Sequence, residues 1–142
     1  MEMGSIDVKS SPVYFYVQKN NSHSGDNSTV TFEIEQLNVG GAMDLSSGIF
    51  TAPTSGTYLF TFSGRKSINQ QTAWVSLYWN DSPVASAYAQ ATVDIITMSL
   101  SSTLHLQQSD QVRLVLRNGE LFDNSHKNSH FNGILLQEDL FQ

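Results

Sequence analysis

The stretch that decides the fold is Gly56-Thr57-Tyr58-Leu59-Phe60-Thr61-Phe62, in which a large side chain recurs at every second position. Successive side chains of a β-strand point to opposite faces of its sheet, so Tyr58, Phe60 and Phe62 share one face. Leu59 and Thr61 occupy the other face. The stretch therefore predicts a strand over 57–63 with a buried aromatic row on one side.

Other segments alternate in the same way and are separated by turn-forming residues. Further strands are predicted at 13–18, 30–34, 73–79, 84–89, 98–106, 112–117 and 131–137. A polar loop is predicted at 20–28, and turns at 40–41, 46–48, 80–83 and 118–119. Alternation fits better than a helical pattern throughout. The chain is therefore predicted to be all-β, an antiparallel jelly-roll sandwich of about ten strands.

Length and composition narrow the classes of protein. The 142 residues suffice for one domain, predicted over 13–140, after a leader and N-terminal segment at 1–12 that begins like an expression leader. No cysteine is present, which excludes disulfides, thiolate zinc sites and cysteine nucleophiles. The net charge of −6 argues against nucleic-acid binding, and no apolar run is long enough for membrane insertion. No signal-peptide pattern is visible.

Several predicted strands carry large apolar side chains on both faces. A sandwich strand needs only one apolar face, and a monomer rarely leaves a large apolar patch in water. If these strands are neighbours, their outward sides form one tyrosine-rich patch, which favours a closed symmetric oligomer; the alternative is that loops cover it. The predicted interface residues are Tyr14, Tyr16, Trp74, Tyr78, Val115, Ile134 and Leu136.

The spacing of several residues resembles a known family. Phe32, Asn38, Met43 and Phe50 precede the aromatic row, and further matching segments are Met43–Pro53, 104–106, 109–114 and Phe131–Leu136. Together they resemble the globular C1q domain of the C1q/tumour necrosis factor superfamily. Two positions depart from its usual pattern, with Met43 in place of an aromatic or leucine and Ser109 in place of glycine. Serine there implies a turn that does not strictly need a positive φ.

The resemblance implies a ten-stranded jelly roll that assembles as a compact homotrimer. No Gly-x-y run is present, so the chain is similar to stand-alone, head-only members that are secreted. Such members resemble soluble recognition proteins of innate immunity. The resemblance also includes relatives that bind calcium near the threefold axis, and Asp94 and Gln90 are the candidate ligands here. An ordinary connecting loop is the alternative, and no cofactor is required.

Catalytic motifs are missing from the sequence. His126 and His130 are four residues apart, but they lie in a polar loop rather than on a helix, which favours a solvated loop over a metal site. No nucleophile, zinc-protease or phosphate-loop motif occurs, so an enzyme is not expected. Glycosylation sequons begin at Asn20, Asn27 and Asn80, no more than chance supplies.

Two functions fit this sequence. The first is a secreted trimer that binds repeated surface ligands, such as microbial glycans, by avidity. The second is an extracellular structural or signalling trimer that engages a protein receptor or matrix. Arg65 and Lys66 follow the central strand and precede a polar loop at 69–71, but no single ligand-binding residue follows from the sequence.

Overall fold

The computed structural model describes residues 11–91 and 94–140, and these residues form strands and loops with no helix. The leader lies outside the described residues. All the strand pairs are antiparallel, which confirms the predicted all-β class. The strands are β1 (Tyr14–Gln18), β2 (Asn21–Ser24), β3 (Ser28–Thr29), β4 (Ile34–Val39), β5 (Met43–Asp44), β6 (Ile49–Thr51), β7 (Gly56–Lys66), β8 (Thr72–Trp79), β9 (Ser82–Gln90), β10 (Ile96–Leu106), β11 (Gln111–Asn124) and β12 (His130–Glu138).

The strands form two sheets packed on one core. Sheet 1 has the order β4-β1-β12-β7-β10. Sheet 2 has the order β5-β6-β11-β8-β9, with β3 also paired to β11. The long strand β11 belongs to sheet 2 for most of its length and then pairs with β2 and the end of β7 in sheet 1. It therefore joins the two sheets along one side of the sandwich.

The aromatic row of β7 lies at the centre of the core, as predicted. Tyr58 and Phe60 are fully buried, and Phe50 packs against both with ring centroids 5.5 and 5.4 Å apart. Phe15 and Phe131 meet edge to face at 5.0 Å on the neighbouring strands. The hydroxyl of Tyr58 donates to the Thr54 carbonyl oxygen at 2.7 Å, so its polar atom is satisfied. Each such ring contributes about 1.5–3 kcal/mol of burial free energy.

The predicted turn at 118–119 is wrong, because β11 continues through it. The pairing of β11 with β8 shifts register between Leu116 and Asn118, which marks a bulge. Gly119 has a φ of 87° there, and a Cβ at this position would overlap the carbonyl oxygen of Thr72. The glycine thus allows the backbones of β11 and β8 to approach closely where β11 leaves sheet 2. It does not reverse the direction of the chain.

Two further predictions near the N-terminus are wrong in detail. The polar loop predicted at 20–28 contains β2 and the first residue of β3, which are strands because their backbones pair with β11. The strand at 30–34 begins only at Ile34. Val30 and Phe32 are nevertheless buried, with 0% and 3% of their surface exposed. Their alternation therefore indicates burial in the core, although the segment is not paired in a sheet.

The turn at Ser109 also differs from its prediction, because Ser109 has a φ of 75°. The amide of Asp110 donates to the Gln107 carbonyl oxygen at 3.0 Å, which closes a turn with Ser109 at its third position. A positive φ at this position favours glycine. The family's usual glycine therefore matches the observed backbone better than the serine does.

Replacing Ser109 with glycine is expected to stabilise the chain by about 0.5–1 kcal/mol, because it relieves a left-handed conformation that costs a serine energy. Urea denaturation followed by fluorescence measures the change. Ser101→Gly is the matched control, since Ser101 lies exposed in the extended strand β10 and glycine is expected to destabilise it there. A lower midpoint for Ser109→Gly would contradict the expectation.

Candidate interaction surfaces

The outer side of sheet 1 is a continuous apolar surface, which we call the tyrosine face. Tyr14 pairs with Ile134 across β1 and β12, and Ile134 pairs with Leu59 of β7. On the other side of β1, Tyr16 pairs with Leu37 of β4. The tyrosine face comprises Tyr14, Tyr16, Leu37, Leu59, Ile134 and Leu136.

Much of the tyrosine face is open to water in the single chain. Leu37, Ile134 and Leu136 are 47%, 43% and 55% exposed, which is unusual for adjacent large apolar side chains. A groove of about 250 Å³ runs between Tyr14, Leu37 and Ile134. Loops of the described residues therefore leave this surface uncovered.

The predicted single patch is wrong, because Trp74 and Tyr78 lie on the outer side of sheet 2. Their neighbours on β8, Val75 and Leu77, are fully buried, so the two aromatic residues point away from the core. Sheet 1 and sheet 2 cover opposite sides of that core. Val115 also faces outward, but it is only 4% exposed in the single chain and has little surface left to bury.

Trp74 and Tyr78 carry two arginines on their rings, and we call this set the arginine–aromatic ladder. The Arg117 guanidinium lies 4.6 Å from the Trp74 ring and 5.7 Å from the Tyr78 ring. The Arg113 guanidinium lies 5.4 Å from the same tyrosine ring. Cation–π contacts of this kind hold each guanidinium plane in place. By the register of β8 and β11, Arg113 lies directly opposite Tyr78, and Arg117 lies at the bulge beside Trp74.

Two lysines are buried, which the sequence did not indicate. Lys66 lies inside β7 at 0% exposure, and its ammonium donates to the carbonyl oxygens of Ser67 at 2.7 Å and Gln70 at 2.6 Å. Lys19 is 2% exposed and donates to the Glu33 carboxylate at 2.9 Å. Neither ammonium is available to a ligand at the surface. Arg65 precedes Lys66 within β7 and is exposed.

Glu33 is held in its charged form by several donors. Partial burial opposes its ionisation, but the backbone amides of Asn20 and Asn21 and the Lys19 ammonium outweigh burial and lower the pKa of Glu33 below its usual 4.5. A lowered pKa in the folded state adds stability above pH 4.5, and this stability is lost as the pH falls through the folded-state pKa.

Glu33→Gln is therefore expected to destabilise the chain at pH 7, and the effect is expected to shrink as the pH falls toward the folded-state pKa of Glu33. Removing the carboxylate also leaves the buried Lys19 without its ionic partner. The measurement is the urea midpoint from pH 7 to pH 3. Glu35→Gln, an exposed carboxylate on β4, is the control and should change little. An equal destabilisation by Glu33→Gln at every pH would contradict the linkage.

A family model described as the C1q domain matches residues 14–136, nearly the whole described chain. The chain belongs to the C1q domain family. Among relatives of the C1q domain, Caprin-2 of Danio rerio is 36% identical over 78% of this chain. Complement C1q tumor necrosis factor-related protein 3 of Mus musculus is 36% identical over 81%. The chain spans 12% of the first and 47% of the second.

Solved structures share the fold of this C1q domain at low sequence identity. The globular domain of zebrafish complement 1qA protein has a TM-score of 0.74 at 20% identity, covering 90% of this chain and 99% of that one. The Eiger TNF structure from S. frugiperda has a TM-score of 0.73 at 12% identity, covering 94% and 99%. These likenesses confirm the jelly roll shared by C1q and tumour necrosis factor domains.

The calcium candidates of the C1q domain lie at the two sides of the β9–β10 connection. Gln90 and Asp94 are both exposed, and residues 92–93 between them lie outside the described residues. Calcium takes six to eight oxygen ligands, so one carboxylate and one amide from a single chain do not suffice. In the described ranges, no group of three or more His, Asp or Glu side chains is placed to hold a metal ion. The calcium site stays a prediction that depends on three copies.

The histidines are placed separately from one another. His126 is exposed in the loop before β12, whereas His130 lies in β12 with its ring 5.9 Å from the Tyr16 ring. His105 pairs with Asp139 at 2.9 Å on another strand. His23 Nε2 lies 2.8 Å from the Ser28 hydroxyl, where β2 and β3 meet at one turn. Among the described residues, no helix has the length and hydrophobicity needed to cross a membrane.

The three sequon asparagines differ in accessibility. Asn27 is exposed in a turn with a φ of 59°. Asn80 is also in a turn, but its side-chain amide donates to the Asp110 carboxylate at 3.3 Å and accepts from the Gln111 amide at 2.8 Å. Asn20 is half-buried after β1. Of the three, Asn27 has the amide that is most open to modification.

Proposed function

We propose that this C1q domain is an extracellular, homotrimeric recognition module that binds repeated surface ligands by avidity, with microbial glycans as the leading ligand class and innate immunity as the setting. The observation that carries the proposal is the tyrosine face, a broad apolar surface on a domain of the C1q family. Burying a large apolar side chain contributes about 1.5–3 kcal/mol, which favours covering this face with other copies.

A cyclic trimer uses two different surfaces of each copy, because its contacts are heterologous. The tyrosine face and the arginine–aromatic ladder lie on opposite sides of the sandwich, and pairing them would stack copies in an open row. We therefore place the tyrosine face toward the threefold axis and the ladder on the outside. This assigns Tyr14, Tyr16, Ile134 and Leu136 to the interface and leaves Trp74 and Tyr78 out of it.

Three copies of one weak site give strong binding to a repeated ligand. When the first site is occupied, the second and third bind at a high effective concentration, and the gain is about 10²–10⁴-fold where the geometry allows simultaneous contact. Glycan surfaces present such repeats. An isolated soluble sugar gains nothing in this way, so the proposed trimer discriminates surfaces from free sugars.

A protein receptor is the second candidate ligand. It is favoured by the likeness to the Eiger TNF structure and by a relative whose name places it among tumour necrosis factor-related proteins. A receptor would bind with one defined stoichiometry per trimer. Glycan recognition would instead depend on ligand density.

The test compares the native chain with Leu136→Asp on a glycan array printed at several densities. Recognition by avidity predicts saturable binding to dense spots, with a loss of about 10²-fold or more for the dissociated variant. Ile68→Asp, which adds the same charge at an exposed loop position, is the control and should bind normally. Failure of the native chain on every array, together with stoichiometric capture of one receptor ectodomain, would favour the signalling candidate.

A further inference from the structure

Two accessible arginines of this acidic chain lie side by side on the outer side of sheet 2. The chain carries 13 acidic and 7 basic residues. Lys19 and Lys66 are buried, so the accessible cations of the described residues are Arg65, Arg113, Arg117 and Lys127. Two of these four lie side by side in the arginine–aromatic ladder.

Neither ladder arginine is neutralised by a carboxylate of the described chain. The ion pairs within 4.0 Å there involve Lys19 and His105 and not the arginines. Arg113 donates to the Thr29 hydroxyl at 2.7 Å, and Arg117 approaches the Ser76 hydroxyl at 3.5 Å. A guanidinium has five N–H donors in its plane, and stacking on a ring uses none of them. Most donors of both arginines are therefore free to bind an oxyanion.

The ladder is ordered before any ligand arrives. Arg117 contacts both the Trp74 and the Tyr78 ring, and Arg113 contacts the Tyr78 ring from the position directly opposite on β11. A side chain held by stacking loses less entropy on binding than a free surface lysine does. Tyr88, which is 56% exposed, meets Trp74 edge to face at 6.3 Å and extends the surface with an aromatic ring.

We propose that the arginine–aromatic ladder binds an acidic oligosaccharide in which carboxylates alternate with neutral sugars. Arg113 and Arg117 each donate bidentately to one carboxylate, and the neutral sugar between the carboxylates lies over the Tyr78 ring, which both guanidiniums contact. This deepens the proposed function by naming the ligand class, although the ladder lies within a single chain. A dense polyanion fits less well, because a net charge of −6 repels it beyond these two contacts.

The probe is a hyaluronan oligosaccharide, which alternates glucuronate with neutral N-acetylglucosamine, titrated in solution. Arg113→Gln and Arg117→Gln are each expected to weaken binding by about tenfold or more, and Arg117→Lys is also expected to weaken it because an ammonium cannot bind bidentately. Arg65→Gln removes the same charge from the exposed part of β7 and is the matched control, with affinity expected to be unchanged. An equal loss for Arg65→Gln would show a general charge effect and would overturn the site.

A second arm needs only the native chain. The methyl-esterified oligosaccharide keeps every sugar and loses its carboxylates, so its affinity is expected to fall about tenfold or more. Equal binding of the ester, no binding of the acid, or preference for heparin over hyaluronan would each contradict the proposal. Leu136→Asp keeps the ladder and is expected to bind the soluble oligosaccharide as the native chain does. Loss of trimers without loss of this binding is therefore expected, because one soluble oligosaccharide gains nothing from avidity. Lost binding in the folded monomer would overturn the ladder as a site within one chain, whereas undiminished binding of that monomer to dense glycan spots would overturn the avidity proposal.

Discussion

Gly119→Ala is expected to unfold the chain or to destabilise it by more than about 3 kcal/mol, a large share of the 5–15 kcal/mol that such domains have. A Cβ at Gly119 would overlap the Thr72 carbonyl oxygen, which is backbone and cannot rotate away. The two strands would have to separate where β11 passes from sheet 2 to sheet 1. Urea denaturation, or the soluble yield where no folded protein is recovered, measures the effect.

Gly41→Ala is the control that distinguishes the effect of this overlap from the effect of backbone strain alone. Gly41 also has a positive φ, of 64°, but no atom lies within 4 Å of a Cβ built there. The control is therefore expected to lose only about 1 kcal/mol. Similar losses for the two variants would show that the close approach of β11 and β8 is not what Gly119 serves.

Leu136→Asp is expected to dissociate the proposed trimer while leaving each chain folded. Leu136 is 55% exposed in the single chain, so the substitution disturbs the monomer little. In a trimer it would remove about 1.5–3 kcal/mol of apolar burial from each of three contacts and add a charge that is costly to desolvate. Sedimentation velocity measures the assembly, and circular dichroism checks the fold.

Two companion variants make this result specific. Tyr16→Asp, on β1 of the same face, is expected to dissociate the trimer as well. Ile68→Asp places the same charge at a 49% exposed position between β7 and β8, outside the tyrosine face, and is expected to leave the trimer intact. Trimers that persist with aspartate at 136 and at 16 would show that the interface lies elsewhere.

Most strand positions and the core were predictable because alternation and burial are local signals. The aromatic row of β7 could only be buried on one face, and the structure puts it there. The strands β2 and β3 were missed because polar residues form them through backbone pairing with β11, which side-chain patterns do not report. The glycine at 119 predicted a turn because glycine is common in turns. Its actual role, the close approach to the Thr72 backbone, depends on a distant part of the chain that the local sequence does not reveal.

The surfaces were predictable residue by residue but not in their arrangement. The outward orientations of Tyr14, Trp74 and Tyr78 followed from period two. Whether strands are neighbours depends on long-range topology, and this is why one predicted patch became two. The ladder needed both arginines of β11 beside the aromatic residues of β8, a pairing of strands more than 30 residues apart in the chain.

Sedimentation equilibrium of the native chain tests the tyrosine face most directly. A trimer built on that face has three times the single-chain mass of 15.7 kDa at micromolar concentration. Tyr14 and Tyr16 are expected to be protected from iodination in that trimer, because the interface covers both side chains. A species of 15.7 kDa with both tyrosines fully reactive would contradict the proposed interface and the avidity that depends on it.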